Sequence, residues 1–317
     1  MSTDLPQFKD VVAAHERIRK FVHRTPVLTS SGINEIFSSS LFFKCENFQK
    51  VGAFKFRGAT NAILSLPEED AQKGVGTHSS GNHAAALALA ARMQGIQAHI
   101  VMPRTAPEIK KKAVRGYGGI ITWCEPTLES REATMQEVVD RTGVTFVPSY
   151  DHFNIICGQG TAAKELIEEA GELDIVMGPV GGGGLISGTA ISTQGMLPSA
   201  RVIAIEPAGA DDAYRSFTSR EFIPSVNPQT IADGLLTSLG KLTFRVILDK
   251  VDDIVTVSEE AIVAAMRMIW ERMKIVVEPS GAVPLAAIIE NKIDVAGKRV
   301  GLILSGGNLD LAKLPFK

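Results

Sequence analysis

The chain has 317 residues, 45% apolar and 21% charged, which is typical of a soluble globular protein of about two domains. Its net charge of −2, without a long run of one sign, argues against binding to nucleic acid or a membrane surface. No apolar run reaches the ~18 residues of a membrane span, and the N-terminus lacks a secretory signal pattern. Three scattered cysteines favour reduced thiols, so we expect a cytoplasmic enzyme.

Strand-like and helix-like runs alternate along the chain, beginning with an amphipathic helix predicted over 8–21. Strands are predicted at 41–45, 98–102, 119–123, 144–147, 174–180, 201–205, 253–257 and 299–304. The intervening helices include 58–66, 84–92, 130–141 and 187–194. Short apolar strands alternating with helices indicate an α/β fold with parallel sheets covered on both faces. Residues 74–148 are predicted to form a smaller domain, and 1–73 together with 149–317 a larger one.

Lys55 lies between Phe54 and Phe56. A lysine whose stem covers apolar surface while its amine stays in water is the simpler interpretation. A lysine withdrawn from water has a lowered pKa, and its neutral amine can form a Schiff base with an aldehyde. Arg57 is expected to lower that pKa further if it lies nearby. The residue type and its neighbours therefore leave both interpretations open.

A run of four glycines follows the strand predicted at 174–180 and precedes a helix; it consists of Gly181, Gly182, Gly183 and Gly184. A glycine turn at a helix N-terminus presents backbone N–H groups and a positive dipole end to an anion. It is not a Walker loop, and the dinucleotide pattern places its third glycine on Ile186 or Ser187. The run therefore favours a phosphate monoester over a tight turn alone.

Two further polar turns are candidates for chemistry. Ser79, Ser80 and Asn82 precede an alanine-rich helix, where they are either helix caps or a pocket for a substrate carboxylate. In the second interpretation Ser80 handles a proton and Asn82 donates to a phenolate oxygen. Ser305 follows the strand predicted at 299–304, where it either belongs to a glycine turn or hydrogen-bonds a ring nitrogen.

These motifs occur in the order seen in the fold type II (tryptophan-synthase-like) family of pyridoxal-phosphate enzymes. The chain most resembles serine racemases and the related hydroxyamino-acid dehydratases, along nearly its whole length. The segments that carry the resemblance are 46–50, 80–83, 158–161, 230–234, 277–281 and 305–308. It implies two open, mostly parallel sheets covered by helices, in a large cofactor-binding domain and a smaller mobile one.

The resemblance also implies the roles of individual residues. Lys55 is expected to hold pyridoxal 5'-phosphate as a Schiff base and Phe54 to line it. The cofactor's phosphate, ring hydroxyl and ring nitrogen are assigned to Gly181–Gly184, Asn82 and Ser305, with Gly234 near the ring. The substrate carboxylate is assigned to Ser79, Ser80 and His83. Arg131 resembles a mobile substrate-facing arginine, although an exposed helix arginine is the simpler interpretation.

A cation site, an activator and an assembly state are implied as well. Glu206, Asp212 and the Ala210 carbonyl resemble a site for Mg²⁺, Mn²⁺ or Ca²⁺, because such ions prefer oxygen ligands, although a solvated acidic loop is the default. ATP activation is expected from the relatives, but the sequence has no recognisable phosphate-binding loop for it. The partners expected are a small amino-acid substrate and a second copy in a homodimer.

The function that the resemblance implies is serine racemase with L- and D-serine dehydratase activity. Lys55 is expected to remove the α-proton from one face and Ser80 to supply one on the other, while loss of the β-hydroxyl gives pyruvate and ammonia. Alternatives are L-threo-3-hydroxyaspartate ammonia-lyase, suggested by residues 150–152 with His152 on a β-carboxylate, threonine dehydratase, and a catalytically silent cofactor-binding relative.

Overall fold

A computed structural model describes residues 5–316, which contain ten β-strands. These are β1 (Val27–Leu28), β2 (Ser40–Cys45), β3 (Val75–His78), β4 (Ala98–Pro103), β5 (Ile120–Cys124), β6 (Thr145–Phe146), β7 (Ile175–Pro179), β8 (Arg201–Pro207), β9 (Asp253–Val257) and β10 (Arg299–Leu304). Six form a sheet in the order β1-β2-β10-β7-β8-β9, and four form a second in the order β5-β4-β3-β6. Only the β1–β2 pairing is antiparallel among these strands.

The same part of the chain contains thirteen α-helices. They are α1 (Phe8–Ile18), α2 (Ser31–Phe37), α3 (Lys55–Leu64), α4 (Glu68–Lys73), α5 (Asn82–Met93), α6 (Glu108–Gly116), α7 (Leu128–Thr142), α8 (Phe153–Ala170), α9 (Gly184–Met196), α10 (Asp212–Ser219), α11 (Lys241–Lys250), α12 (Glu259–Met273) and α13 (Pro279–Ile289). None of the helices between residues 5 and 316 has the length and apolar character that a bilayer span requires.

The sheets are covered by helices, and the central strands are largely buried. Every residue of β7 is buried, as parallel strands with helices on both faces require. Helices α8 and α9 pack closely beside this sheet: a Cβ on Gly188 would lie 2.4 Å from the Gly160 nitrogen. This close approach fixes the position of α9 and of the glycine loop that precedes it.

The predicted α/β class with mostly parallel sheets is confirmed, and the strands predicted at 253–257 and 299–304 match β9 and β10. Helix boundaries differ more. The helix predicted over 58–66 begins at Lys55, because Gly58 lies inside α3 and donates its N–H to Gln159 Oε1 on α8 at 3.1 Å. The first helix ends at Ile18 instead of residue 21, and α9 begins at Gly184 instead of residue 187.

The loops at the carboxyl ends of four strands carry the sequence motifs. β2 leads toward Lys55, β7 toward the glycine run, and β10 toward Ser305, all in the six-stranded sheet. β3, in the four-stranded sheet, leads into the Ser79–Asn82 turn. Ligands of open parallel sheets bind beyond such strand ends, which makes this region the candidate site.

Candidate active site

A cavity of about 280 Å³ is bounded by these loops. Its lining includes all the residues predicted to bind the cofactor or the substrate apart from His152: Phe54, Lys55, Ser79, Ser80, Asn82, His83, Arg131, Gly181, Gly182, Gly183, Gly184, Gly234 and Ser305. The fold therefore brings together side chains that are up to 251 positions apart in the chain, from Phe54 to Ser305 (305 − 54 = 251). A cavity of this kind, with convergent polar groups, is a candidate ligand site.

Lys55 is the first residue of α3, and its amine faces the cavity. Its Nζ donates to the Ser149 carbonyl at 2.9 Å, and lies 5.1 Å from the Phe54 ring centre and 6.0 Å from that of Tyr150. Burial lowers the pKa of Lys55 to about 8, against the opposing influence of Glu278. A sizeable neutral fraction near neutral pH favours the nucleophile over the surface lysine.

The predicted neighbours of Lys55 need correction. Phe56 is packed in the core, so Phe54 and Tyr150 are the aromatic rings near the amine. Arg57 does not act on Lys55. It points into a buried ionic cluster, where Nε and Nη2 each donate to Glu46 at 2.8 Å and Nη2 donates to Glu165 at 2.7 Å. Its charge is therefore used to neutralise buried carboxylates.

The glycine run forms a loop that side chains would obstruct. Gly183 is the N-cap residue of α9 and has φ +86°, in the left-handed region where glycine is favoured. A Cβ on Gly182 would lie 2.4 Å from the Tyr150 ring, and one on Gly183 would lie 2.8 Å from Thr243 Cβ. Because a glycine N-cap has no side chain to cap the helix, the helix N-terminus can receive an anion.

The loop is held by α11 and the segment before α8. Thr243 Oγ1 donates to the Gly182 carbonyl at 2.8 Å. Asp151 accepts from the N–H groups of Leu242 and Thr243 at 2.8 and 3.0 Å, and so caps α11. Its neighbour Tyr150 is fixed through its hydroxyl, 3.1 Å from Thr237 Oγ1. The loop is therefore supported from outside the cavity before any ligand binds.

The turn that precedes α5 also lacks a side-chain cap, because its N-cap residue is Gly81. Ser79 Oγ accepts from the Gly81 N–H at 3.3 Å, whereas Ser80 caps nothing and lines the cavity. Capping therefore does not account for Ser80. His83 is buried, with Nε2 3.1 Å from the Val147 carbonyl, and burial lowers its pKa to about 3. A neutral imidazole whose Nε2 contacts a backbone carbonyl does not supply the positive charge that would favour binding of a substrate carboxylate.

Ser305 and the segment before Lys55 are joined directly. The Phe54 N–H donates to the Ser305 carbonyl at 3.0 Å, and Ala53 bridges to Gly306 in antiparallel fashion. Ser305 is buried and contributes to the cavity lining. The loop after β10 and the N-terminus of α3 are thus held in register across the cavity.

Arg131 lies in the first turn of α7, and its buried Nε has no hydrogen-bond partner. An unpartnered guanidinium nitrogen at a cavity favours the substrate-facing interpretation over the exposed helix arginine. His152 is different: its Nδ1 accepts from the Asn154 N–H at 3.3 Å and caps α8. His152 is also absent from the cavity lining, so its predicted contact with a β-carboxylate is wrong.

Glu278 and Tyr150 line the cavity but were not assigned a site role from the sequence. Asn82 Nδ2 donates to both carboxylate oxygens of Glu278, at 3.0 and 3.2 Å. The signal that would have identified Glu278 is a single acidic residue preceding the otherwise apolar, small-residue segment 279–289. Such an isolated charge before a buried helix requires a specific partner.

The residues of the implied cation site lie away from this cavity, after β8. Glu206 accepts from the Ala213 and Tyr214 N–H groups at 3.0 and 2.8 Å. Both carboxylate oxygens of Asp212 are buried without a hydrogen-bond partner. Burial raises the pKa of Glu206 to about 9 and that of Asp212 to about 6.

Two buried carboxylates with raised pKa values, one of which (Asp212) has unpartnered oxygens, fit a hard cation, which would supply the missing charge. Within residues 5–316, no group of three or more His, Cys, Asp or Glu side chains is suited to hold a metal ion. Any cation bound here therefore needs backbone or water oxygens in addition, and the predicted Ala210 carbonyl lies in the adjoining turn Ala208–Ala210.

The main cavity fits pyridoxal phosphate in its donor chemistry. Lys55 offers an amine of lowered pKa, and the loop at Gly182 and Gly183 leaves no room for side chains at a helix N-terminus. Asn82 and Ser305 provide an amide and a hydroxyl in the same lining. An aldehyde, a phosphate and a polar ring therefore each find a matching group.

Comparison with known proteins agrees with this fit. Residues 18–306 match the family described as pyridoxal-phosphate dependent enzyme. The chain is 53% identical over 312 residues to the beta-hydroxyaspartate dehydratase of Paracoccus denitrificans, covering 98% of this chain and 99% of that protein. It is 52% identical to the serine racemase of Arabidopsis thaliana, covering 95% and 92%. The crystal structure of serine racemase from Dictyostelium discoideum superposes with a TM-score of 0.91 at 48% identity, covering 96% and 99%. The chain therefore belongs to the family of pyridoxal-phosphate-dependent enzymes.

Proposed function

We propose that this protein is a serine racemase that also dehydrates serine. The observation that carries the proposal is that Lys55 and Ser80 line one cavity, because racemisation requires proton-transfer groups on two faces of a substrate. A silent relative is disfavoured because Lys55 is present and its pKa is lowered.

In this proposal Lys55 holds the cofactor covalently, and Phe54 and Gly234 lie against it. Gly181–Gly184 bind the phosphate at the start of α9, and Ser305 hydrogen-bonds the ring nitrogen. When bound, the cofactor supplies an electron-withdrawing ring that stabilises negative charge at the substrate's α-carbon. Because Ser305 is a neutral partner of the ring nitrogen, negative charge at the α-carbon is stabilised less than it would be by an acidic residue. This favours elimination.

The substrate carboxylate is assigned to the N-terminus of α5, beside Ser79 and Ser80, where the helix has no side-chain cap. Once the substrate's amine had taken the place of Lys55 on the cofactor, the released Lys55 Nζ would take the α-proton, and Ser80 Oγ would supply a proton to the opposite face. His83 is retained only as a neutral wall of this pocket, because its Nε2 contacts the Val147 carbonyl. If the β-hydroxyl leaves as water instead of the α-carbon being reprotonated, an unsaturated amine results, and its hydrolysis by a second water gives pyruvate and ammonia.

A second candidate is L-threo-3-hydroxyaspartate ammonia-lyase. The observation that favours it is the unpartnered Nε of Arg131, since a guanidinium at the cavity suits a second carboxylate. The dehydratase activity named for the Paracoccus relative supports the same possibility. Threonine dehydratase is kept as a lesser alternative, because a β-methyl group needs only apolar contact and the leucines of the lining do not single it out.

Further parts of the proposal concern the rest of the molecule. Glu206, Asp212 and the Ala210 carbonyl are proposed to bind Mg²⁺, Mn²⁺ or Ca²⁺. ATP is proposed as an activator, and a cavity of about 450 Å³ adjoining the first at Lys110 and Asp233 offers space for it. The protein is further proposed to be a cytoplasmic homodimer. In each subunit residues 74–148 are proposed to form the smaller domain, and residues 1–73 and 149–317 the larger one.

The test is direct. Purified protein with added pyridoxal phosphate is incubated with L-serine, and D-serine is measured by chiral chromatography and pyruvate by a coupled assay. We expect both products, and a Lys55→Ala variant is expected to lose turnover on the order of 10³-fold. Lys20→Ala, at an exposed lysine, is the matched control and is expected to retain turnover. Absence of both products, or full turnover by Lys55→Ala, would refute the proposal. Parallel reactions with hydroxyaspartate and threonine rank the substrates.

A further inference from the structure

Glu278 is a buried carboxylate that the proposed mechanism does not use. It immediately precedes α13, its side chain is 3% exposed, and it lines the active-site cavity. The Glu278 N–H donates to the Gly306 carbonyl at 3.0 Å, which anchors the residue to the loop after β10. A Cβ on Gly306 would lie 2.7 Å from Glu278 Oε1, so that loop leaves room for the carboxylate.

The carboxylate belongs to a closed set of hydrogen bonds with Asn82 and Asn308. Asn82 Nδ2 donates to Glu278 Oε1 at 3.0 Å and to Oε2 at 3.2 Å. The Asn308 N–H donates to Glu278 Oε2 at 3.0 Å. Asn308 Nδ2 in turn donates to Asn82 Oδ1 at 3.0 Å and to the Val51 carbonyl at 2.6 Å.

This arrangement determines which way the Asn82 amide faces. Its oxygen is directed to the donor on Asn308, and its nitrogen is directed to the acceptor on Glu278. An amide nitrogen carries two hydrogens, so one remains for a third group after Glu278 has accepted the other. A rotated amide would place its nitrogen against the Asn308 donor and its oxygen against a carboxylate, with no hydrogen bond on either side.

We propose that Glu278 is a positioning residue, which orients the Asn82 amide so that its second N–H faces the hydroxyl of the cofactor ring. This inference rests on the proposed function, which assigns that hydroxyl to Asn82. Glu278 acts through Asn82 and takes no proton from the substrate.

The charges around Glu278 make the positioning depend on pH. Burial is the main cause that raises the pKa of Glu278, to about 7, and the charge of Asp233 adds to it. The hydrogen bonds from Asn82 and Asn308 and the charge of Lys110 lower the pKa and so oppose this rise. Lys55 also interacts electrostatically with Glu278. Above pH 7 the ionised carboxylate accepts all three N–H contacts. Below pH 7 the added proton converts one acceptor into a donor, and the orientation of Asn82 weakens.

The experiment compares Glu278→Gln, Asn82→Ala and the double variant with wild type. The affinity of apo-protein for pyridoxal phosphate is measured by equilibrium dialysis, and the visible absorbance of the bound cofactor is recorded from pH 5.5 to 9. We expect Glu278→Gln to weaken affinity roughly tenfold, as loss of a charge-assisted hydrogen bond does, and to remove the spectral change near pH 7. Glu290→Gln, at the other end of α13, is the matched control and is expected to match wild type.

The double variant decides whether Glu278 acts through Asn82. We expect it to equal Asn82→Ala alone, because two residues in one chain of contacts are not additive. Additive losses would overturn the inference while leaving the Asn82 assignment intact. If Asn82→Ala itself leaves affinity and spectrum unchanged, the proposed role of Asn82 fails, and this inference fails with it.

A further comparison does not require that Glu278→Gln fold. Wild-type affinity is expected to fall below pH 7, and in Asn82→Ala the part of that acid limb that Glu278 causes is expected to be lost, leaving only the dependence set by Lys55. An unchanged acid limb in Asn82→Ala would overturn the inference.

Discussion

Replacing Gly182 by alanine tests whether the glycine run is a phosphate site. The added Cβ would lie 2.4 Å from both Cγ and Cδ1 of Tyr150, whereas carbon atoms in contact normally lie about 3.5–4.0 Å apart. Tyr150 cannot simply turn away. Its hydroxyl is 3.1 Å from Thr237 Oγ1, and its backbone packs so closely on Gly184 that a Cβ there would lie 3.1 Å from the Tyr150 Cα. The overlap must therefore be relieved by movement of the loop.

Over-packing of this kind costs about 1–3 kcal/mol. If the cost falls on the cofactor-bound loop geometry, the dissociation constant for pyridoxal phosphate rises about 5- to 150-fold. The assay is titration of apo-protein with the cofactor, followed by visible absorbance. Gly116→Ala is the matched control, since a Cβ on Gly116 would meet no atom within 4 Å, and its affinity is expected to be unchanged.

A second substitution separates loss of cofactor affinity caused by overlap with Tyr150 from loss caused by general destabilisation of the protein. Adding Tyr150→Ala to Gly182→Ala removes the ring that the new Cβ would strike, and we expect part of the affinity to return. An affinity for Gly182→Ala within about twofold of wild type would refute the argument that this loop closes on the phosphate.

Four other outcomes follow from the structure. Arg57→Ala removes the salt-bridge partner of buried Glu46 and leaves Glu165 with Lys44 alone. It is expected to cost about 3–5 kcal/mol in chemical denaturation, against less than about 1 kcal/mol for exposed Arg267→Ala. Equal losses would contradict the buried cluster. Capture of pyridoxal phosphate requires neutral Lys55, so the rate of capture, followed by absorbance, should rise with pH and level off above about pH 8. A rate that still increases at pH 10 would show that Lys55 has the pKa of an ordinary lysine. Ser80→Ala should lower D-serine formation at least ~10²-fold while largely sparing pyruvate formation. Added Mg²⁺ should raise the melting temperature of wild type but not of Asp212→Asn. An equal rise in both proteins would show that the cation does not bind at this site.

The sequence indicated the strands and the loops that follow them. β9 and β10 are apolar, partly β-branched runs with clear ends, and their bounds match the prediction. The glycine run was identified as an anion site at a predicted helix N-terminus, and Ser305 was identified because ligand-binding loops follow parallel strands. Neither rule needs knowledge of side-chain contacts. Helix starts were less clear, because Gly58 weakens a helix locally and its packing against Gln159 is visible only in three dimensions.

Contacts between distant positions could not be predicted from one sequence. Glu278 and Asn82 are 196 residues apart, and Lys55 and the Ser149 carbonyl are 94 apart. The direction of Arg57 depends equally on Glu165, 108 residues away. His152 shows the opposite error, because a histidine in a suggestive tripeptide turned out to satisfy a neighbouring backbone N–H. Sequence spacing indicated which residue types were available, and the fold decided their partners.

The four-stranded sheet is built from a single uninterrupted stretch, from β3 to β6, and this has an evolutionary consequence. Ser80 and Arg131 are encoded inside that stretch, whereas Lys55 and Ser305 are encoded outside it. Mutation or recombination confined to this stretch of the gene can thus alter Ser80 and Arg131 while Lys55 and Ser305 are inherited unchanged. In a lineage with this architecture, substrate preference and the proposed second proton donor can diverge together while the proposed cofactor contacts at Lys55 and Ser305 are conserved.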